Sequence, residues 1–175
     1  IGQAKLPDDL SHLHTLAVFD TKKPEATRDL ANHLFGGKGI LAKHKVLRVL
    51  DLKECAGLDE KHLQTICNLL LLKYLSLGDS IVRVPRKIAQ LKLLETLDLS
   101  RTKVVTVYIE VFGLPKLTHL LGKVRLSARD SVFGVEKWKR FLANKCKLDT
   151  LAGFITGRSE ALPQLIGHMR KLNKV

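Results

Sequence analysis

Three blocks of this chain fall into register on the pattern Leu-x-x-Leu-x-Leu. They are Leu47-Arg48-Val49-Leu50-Asp51-Leu52, Leu72-Lys73-Tyr74-Leu75-Ser76-Leu77 and Leu94-Glu95-Thr96-Leu97-Asp98-Leu99, and their leading leucines lie 25 and 22 residues apart. A lone amphipathic helix does not restore one phase twice, whereas a stack of like units does. The inner Leu-x-Leu alternation has the period of a strand, whose side chains point to opposite sides in turn. Each block is therefore expected to be a short strand, and the strands to stack in parallel around one continuous core. Leu50, Leu52, Leu75, Leu77, Leu97 and Leu99 should be almost fully buried. The ninth position of the blocks holds Cys55, Ser80 and Thr102, small side chains suited to turning the chain and meeting backbone groups inside the stack.

Between the blocks the chain reads as returns. Asp59 is placed to cap a helix over about 60 to 70, with Leu63, Ile66, Cys67 and Leu70 at helical spacing on its core side. Val84-Pro85-Arg86-Lys87-Ile88 sets a proline one position into a short helix ending near Leu91. The β-branched segment from Val104 to Leu114 is expected to be extended or a single turn.

Upstream, Leu13-His14-Thr15-Leu16-Ala17-Val18-Phe19 fits the pattern with valine at the last core position, before a polar loop from Asp20 to Lys23 and a helix around Glu25 to Phe35. Downstream, Leu117-Thr118-His119-Leu120 fits and then departs, because Gly122 stands where the second strand leucine belongs. The next block, Leu148-Asp149-Thr150-Leu151, follows 31 residues after Leu117. That interval leaves room for an amphipathic helix over Val135 to Ala143, with Phe133, Trp138, Phe141 and Leu142 filling an enlarged return. Leu172-Asn173-Lys174-Val175 begins one further repeat.

The expected fold is α/β: a leucine-rich-repeat solenoid, a horseshoe or shallow arc. About six short parallel strands line its concave face and irregular helical returns form its convex face. Residues 1–175 read as a single segment of a longer chain, with clear repeats over 47–116 and degenerate ones over 13–46 and 117–175.

Aromatics are 5% of the residues against 45% hydrophobic, so the core is aliphatic. Three cysteines at wide spacing, in a chain too large to need staples, fit a reducing compartment. The longest apolar run, Ile66 to Leu72, is interrupted by Asn68 and falls well short of the roughly 20 residues of a membrane span.

No recognisable pairing of a nucleophile with a base is present, so no enzyme is argued. Gly36-Gly37-Lys38-Gly39 lacks the four-residue glycine spacing and the Ser or Thr of a phosphate loop, and reads as a helix stop. His12-Leu13-His14 offers half of a metal site with nothing at ligand spacing to complete it. Neither a cofactor nor a metal is expected in this segment.

What remains is surface. Strand alternation puts the residues between the core leucines on the concave face, as a column of Val49, Tyr74, Thr96, His119 and Thr150 beside one of Asp51, Ser76, Asp98, Leu121 and Ala152, with Lys53 next to the second. Tyr74 is the strongest anchor candidate, because aromatics dominate interface energetics. The formal net charge is +13, and its densest part runs from Lys116 to Lys147 with only Asp130 and Glu136 in opposition. Lys137, Lys139 and Arg140 are the candidate docking patch there. Without a nucleic-acid motif, the region is expected to be a solvated face or to dock an acidic protein surface.

With these blocks in view, Val46 to Leu52, Leu69 to Leu77, Val84 to Ile88 and Leu94 to Leu99 closely resemble the repeat region of plant intracellular immune receptors of the coiled-coil, nucleotide-binding, leucine-rich-repeat type, grass members above all. Leu13 to Phe19, Leu148-Asp-Thr-Leu-Ala-Gly-Phe154 and Gly167-His-Met-Arg-Lys-Leu172 are similar to other repeats of that family. Lys123 to Lys147 departs from the family's pattern.

The resemblance implies a domain that folds back on the receptor's nucleotide-binding switch and holds it inactive, and that senses a pathogen effector or a guarded host protein. It implies the receptor's own nucleotide-binding and coiled-coil domains as partners, and a cytoplasmic or nucleocytoplasmic location. The ADP or ATP pocket would lie upstream of Ile1. The alternative is the substrate-recruiting repeat domain of a ubiquitin-ligase receptor, which would need a helical adaptor-binding module.

Overall fold

The computed structural model describes residues 12–19, 24–36, 39–42, 45–103, 105–126, 135–155 and 165–175. Among the described residues, seven strands form one parallel sheet: β1 (Thr15–Ala17), β2 (Val49–Leu52), β3 (Tyr74–Leu77), β4 (Thr96–Leu99), β5 (Val105–Val107), β6 (His119–Leu126) and β7 (Thr150–Phe154). The order β1-β2-β3-β4-β6 follows the repeat, with β7 on the far side of β6 and β5 along its second half.

One device recurs at every step. The carbonyl before each strand accepts two consecutive N–H groups of the next repeat: Arg48 from Lys73 and Tyr74, Lys73 from Glu95 and Thr96, Glu95 from Thr118 and His119, Thr118 from Asp149 and Thr150. His14 does the same upstream and Asp149 downstream, where Thr150 bridges to Lys174 and the further repeat begins. Repeated pairing satisfies backbone groups that would otherwise be buried alone.

The six leucines expected in the core are all 0% exposed, and each buried side chain of this size stabilises the stack by about 1.5 to 3 kcal/mol. The returns close the other side. Helix α1 (Pro24–Phe35) stops at Gly36, whose N–H donates to the Asn32 carbonyl, while Gly37 and Lys38 lie outside the described residues. Helix α2 (Glu60–Ile66) is capped by Asp59 as expected. Its capping box uses histidine in place of the usual acid: Asp59 Oδ1 accepts from the His62 N–H at 2.9 Å, and the Asp59 N–H donates to His62 Nδ1. On the far side of the ring, His62 Nε2 and Asn32 Oδ1 of α1 share a hydrogen bond of 3.1 Å that ties the two helices together. Helix α3 (Val135–Lys145) fills the enlarged return against a 3₁₀ turn at Ile109–Gly113, with Leu142 fully buried. Phe133 lies outside the described residues.

Four expectations need correction. Helix α2 ends after Ile66, so Leu70 is 50% exposed instead of packed; a tight turn hands the core positions to Leu69 and Leu72. Pro85 caps a 3₁₀ turn at Arg86–Gln90 from outside; it does not sit within a helix. Ser80 is exposed, and Ile81 turns inward in its place, because the turn after β3 closes one residue later, with the Ile81 N–H on the Gly78 carbonyl. In the two sister turns the bond returns to the last strand leucine itself, from Cys55 to Leu52 and from Thr102 to Leu99, and Thr102 Oγ1 adds a second bond to the Leu99 carbonyl at 2.6 Å.

The fourth concerns the strand count. Six strands line the concave face, and β5 is a seventh that belongs to a second parallel ladder on the return side. There Val82 to Val84 pairs with β5, β5 with the second half of β6, and the Ile155 N–H donates to the Val124 carbonyl. Strand β6 reaches both ladders because Gly122 adopts φ +109°, a left-handed conformation glycine tolerates best. A Cβ there would stand 2.3 Å from the Leu99 carbonyl carbon. The glycine that breaks the leucine pattern is thus the residue that lets one strand serve two ladders.

Candidate protein-binding face

Sheet register settles which side chains are neighbours on the concave face. Thr15, Val49, Tyr74, Thr96, His119 and Thr150 are successive Cα partners, and so are Ala17, Asp51, Ser76, Asp98, Leu121 and Ala152. Both columns therefore stand as alternation placed them, each extended by a β1 residue. Val49, Tyr74, Thr96, His119 and Thr150 are all partly exposed. Ser76 is not: it is 1% exposed, flush with the sheet between Asp51 and Asp98, and offers a partner no accessible atom of consequence.

The two aspartates hold turns as well as facing outward. Asp51 Oδ1 accepts from the Lys53 N–H at 3.2 Å, and Asp98 Oδ1 accepts from the Ser100 N–H at 2.9 Å. Both are the short local bonds an aspartate makes two residues on. Their second oxygens face the column. Lys53 Nζ pairs with Asp51 Oδ2 at 3.1 Å, and the Tyr74 hydroxyl donates to Asp98 Oδ2 at 3.3 Å. The Tyr74 phenol is held above its ordinary pKa by partial burial and then by the Asp98 charge; the bond to Asp51 does the same for Lys53. Tyr74 is thus a fixed, neutral aromatic, pinned from the repeat after its own. Sequence alone placed Tyr74 and both aspartates but missed that the acids are half committed to turns; an acid two residues before a turn donor was the available signal.

The basic patch divides. Lys139 pairs with Glu136 at 2.7 Å, holding that carboxylate below its usual pKa, while Lys137 and Arg140 point outward. Lys145, not singled out from the sequence, stands eight positions after Lys137 on the stripe that includes Arg140, and Lys139 stands off it. Helical spacing carried that signal.

Among the described residues no group of three or more His, Cys, Asp or Glu could hold a metal, and His14 Nδ1 meets the Val46 carbonyl. Cys55, Cys67 and Cys146 are buried, and burial pushes the first two thiols up to about 11 and about 12. No described helix is long and apolar enough to cross a membrane.

The comparisons agree with this architecture. Residues 36–175 match a family described as a leucine-rich repeat region. Two rice proteins (Oryza sativa subsp. japonica), each named Disease resistance protein RGA4, are 50% identical over 135 residues and 46% identical over 168, which is 77% and 95% of this chain. Rice Disease resistance protein Pik-2 is 34% identical over 133 residues, 70% of the chain. The chain spans only 13%, 16% and 13% of the length of these three relatives. A stack of in-register leucine strands, matched over most of its length by that family and by these relatives, has one assignment: the chain belongs to the leucine-rich-repeat family, as a repeat region homologous to plant disease-resistance proteins.

Proposed function

We propose that this segment recognises protein through its concave face and holds its receptor's nucleotide-binding switch inactive until a pathogen effector or a guarded host protein is sensed. The observation that carries this reading is the unbroken concave column, with Tyr74 pinned to Asp98 at its centre. A rigid aromatic on an accessible sheet face is the kind of group around which interface energy concentrates. The whole receptor's nucleotide chemistry belongs to residues outside this chain, and the location that accompanies this function is intracellular.

The test is association, in trans, with the nucleotide-binding region of the parent receptor, measured by calorimetry for the native chain and for Tyr74→Ala and Asp51→Ala. The expected result is saturable binding weakened at least about tenfold by Tyr74→Ala, which corresponds to about 1.4 kcal/mol. No association, or association indifferent to both changes, would count against the proposal.

A further inference from the structure

The outward side of α3 differs from the concave face in chemistry. Lys137, Arg140, Phe141, Asn144 and Lys145 recur at helical spacing and line an open pocket of about 390 Å³. Three of the five are cations, none is an acid, and among the described residues none of these cations pairs with a carboxylate. The floor is aromatic. Phe141 packs edge-on against Trp138, with centroids 5.8 Å apart, and rests on Gly113, where a Cβ would stand 2.3 Å from Phe141 Cζ. Glycine at 113 thus lets the ring sink against the 3₁₀ turn and leaves a recess between charged walls. Lys137 lies over the Trp138 ring at 5.9 Å, which restrains one wall.

We propose that this recess docks an acidic protein segment presenting an apolar side chain between carboxylates, the apolar group seated over Phe141 and the acids meeting Lys137, Arg140 and Lys145. The inference rests on the reading of the chain as a protein-recognition domain and names a second site on it. Charge complementarity decides the sign of the partner. A lipid surface is disfavoured because the exposed side chains described on α3 are Glu136, Lys137, Arg140, Asn144 and Lys145, with no large apolar group among them. A nucleic acid is disfavoured because the flat side chains that would stack on bases are occupied with each other.

Trp138 is the chain's only tryptophan, so its emission reports on this helix. The full chain is titrated with a short peptide of aspartate and glutamate around a central leucine pair. A peptide with serine for leucine, oligothymidylate and phosphatidylserine vesicles are run beside it, and calorimetry on the same pairs covers a bound state that leaves the emission unchanged. The leucine peptide should bind saturably, the serine peptide several-fold more weakly, and the double variant K137E/R140E about tenfold more weakly than the native chain. Far-ultraviolet dichroism of that variant, changed only at exposed positions, should match the native spectrum.

Absence of saturable binding by either method, equal binding by K137E/R140E, or tighter binding of oligothymidylate or vesicles would overturn the proposal. Tyr74→Ala should leave peptide binding unchanged, which separates the two sites. If α3 docking fails while association through Tyr74 holds, only this inference is lost, whereas loss of the Tyr74-dependent association removes the reading beneath it.

Discussion

The repeats over 47–116 and the enlarged one that begins at Leu117 build the same strand and diverge after it. In the first group each strand is followed by a compact return: the short helix α2, then the 3₁₀ turns at Arg86–Gln90 and Ile109–Gly113. In the enlarged repeat β6 runs past the turn into a second ladder, and α3 is laid over the preceding return. The register of the concave columns nevertheless passes through unchanged, from Thr96 to His119 to Thr150. Strand position is set by leucines meeting leucines and by the shared carbonyl before each strand. The return only has to bring the chain back, so it is free to vary in length and charge. The concave columns therefore belong to the constant part, and the basic recess to the variable part.

The largest expected effect lies in the constant part. Leu75→Ala on the central strand β3 should destabilise the fold by about 2 to 5 kcal/mol through the cavity it leaves, read as a lowered urea midpoint. Leu120→Ala on β6 should fall in the same range, since Leu120 is equally buried and paired on both sides. A small effect at Leu120 beside a large one at Leu75 would break the equivalence of the two regions.

Gly122→Ala tests the variable part. With φ at +109° and no room for a Cβ, it should lose about 1 to 3 kcal/mol and loosen the pairing of β5 with β6, seen as faster amide exchange at Thr106 to Val107 and Val124 to Leu126. Full retention of that pairing would show that the second ladder does not depend on the left-handed turn.

A smaller loss is expected at the α2 cap. Asp59→Ala removes one half of the capping box and should lower stability by about 1 kcal/mol, a change visible in thermal unfolding. Its neighbour His62 would keep its bond to Asn32, so the α1 to α2 contact should survive.

Alkaline pH gives the last contrast. The folded Cys55 and Cys67 thiols titrate above the ordinary value of 9.0, so the unfolded chain loses these protons first. The stability they contribute is complete below about pH 9 and is lost as pH rises towards the folded values of about 11 and about 12. Urea midpoints should decline over that window, and the decline should be shallower in the Cys55→Ala, Cys67→Ala double variant. A decline of the same slope in that variant would place its cause elsewhere.

Sequence made the constant part legible because periodicity is a collective signal. Three leucine blocks fix the strands, and alternation then fixes Val49, Tyr74, Thr96 and His119 as neighbours without any knowledge of the returns. What escaped were decisions made by single contacts. The Gly78 carbonyl moved the turn after β3 by one residue and exchanged Ser80 for Ile81. Ser76 lay flush with the sheet instead of above it, and Glu136 took Lys139 out of the expected basic patch.

The second ladder was within reach. Val82-Arg83-Val84, Val105-Thr106-Val107 and Val124-Arg125-Leu126 share one alternation, and in each the last residue is buried. It was obscured because these segments stand at different distances from their leucine blocks.

The central claim is that the register of the two concave columns runs through the enlarged repeat, with the β6 to β7 pairing shifting only beyond Leu121, so that the columns form a single surface. Residue-resolved amide exchange of the native chain tests it directly. The N–H groups of Tyr74, Thr96, His119 and Thr150 each donate to the carbonyl that precedes the neighbouring strand, and their protection should decline only gradually towards Thr150, as end fraying in a stacked solenoid requires. Protection that holds at Tyr74 and Thr96 and collapses to the unstructured rate at both His119 and Thr150 would show that the sheet stops at β4, and would contradict the account.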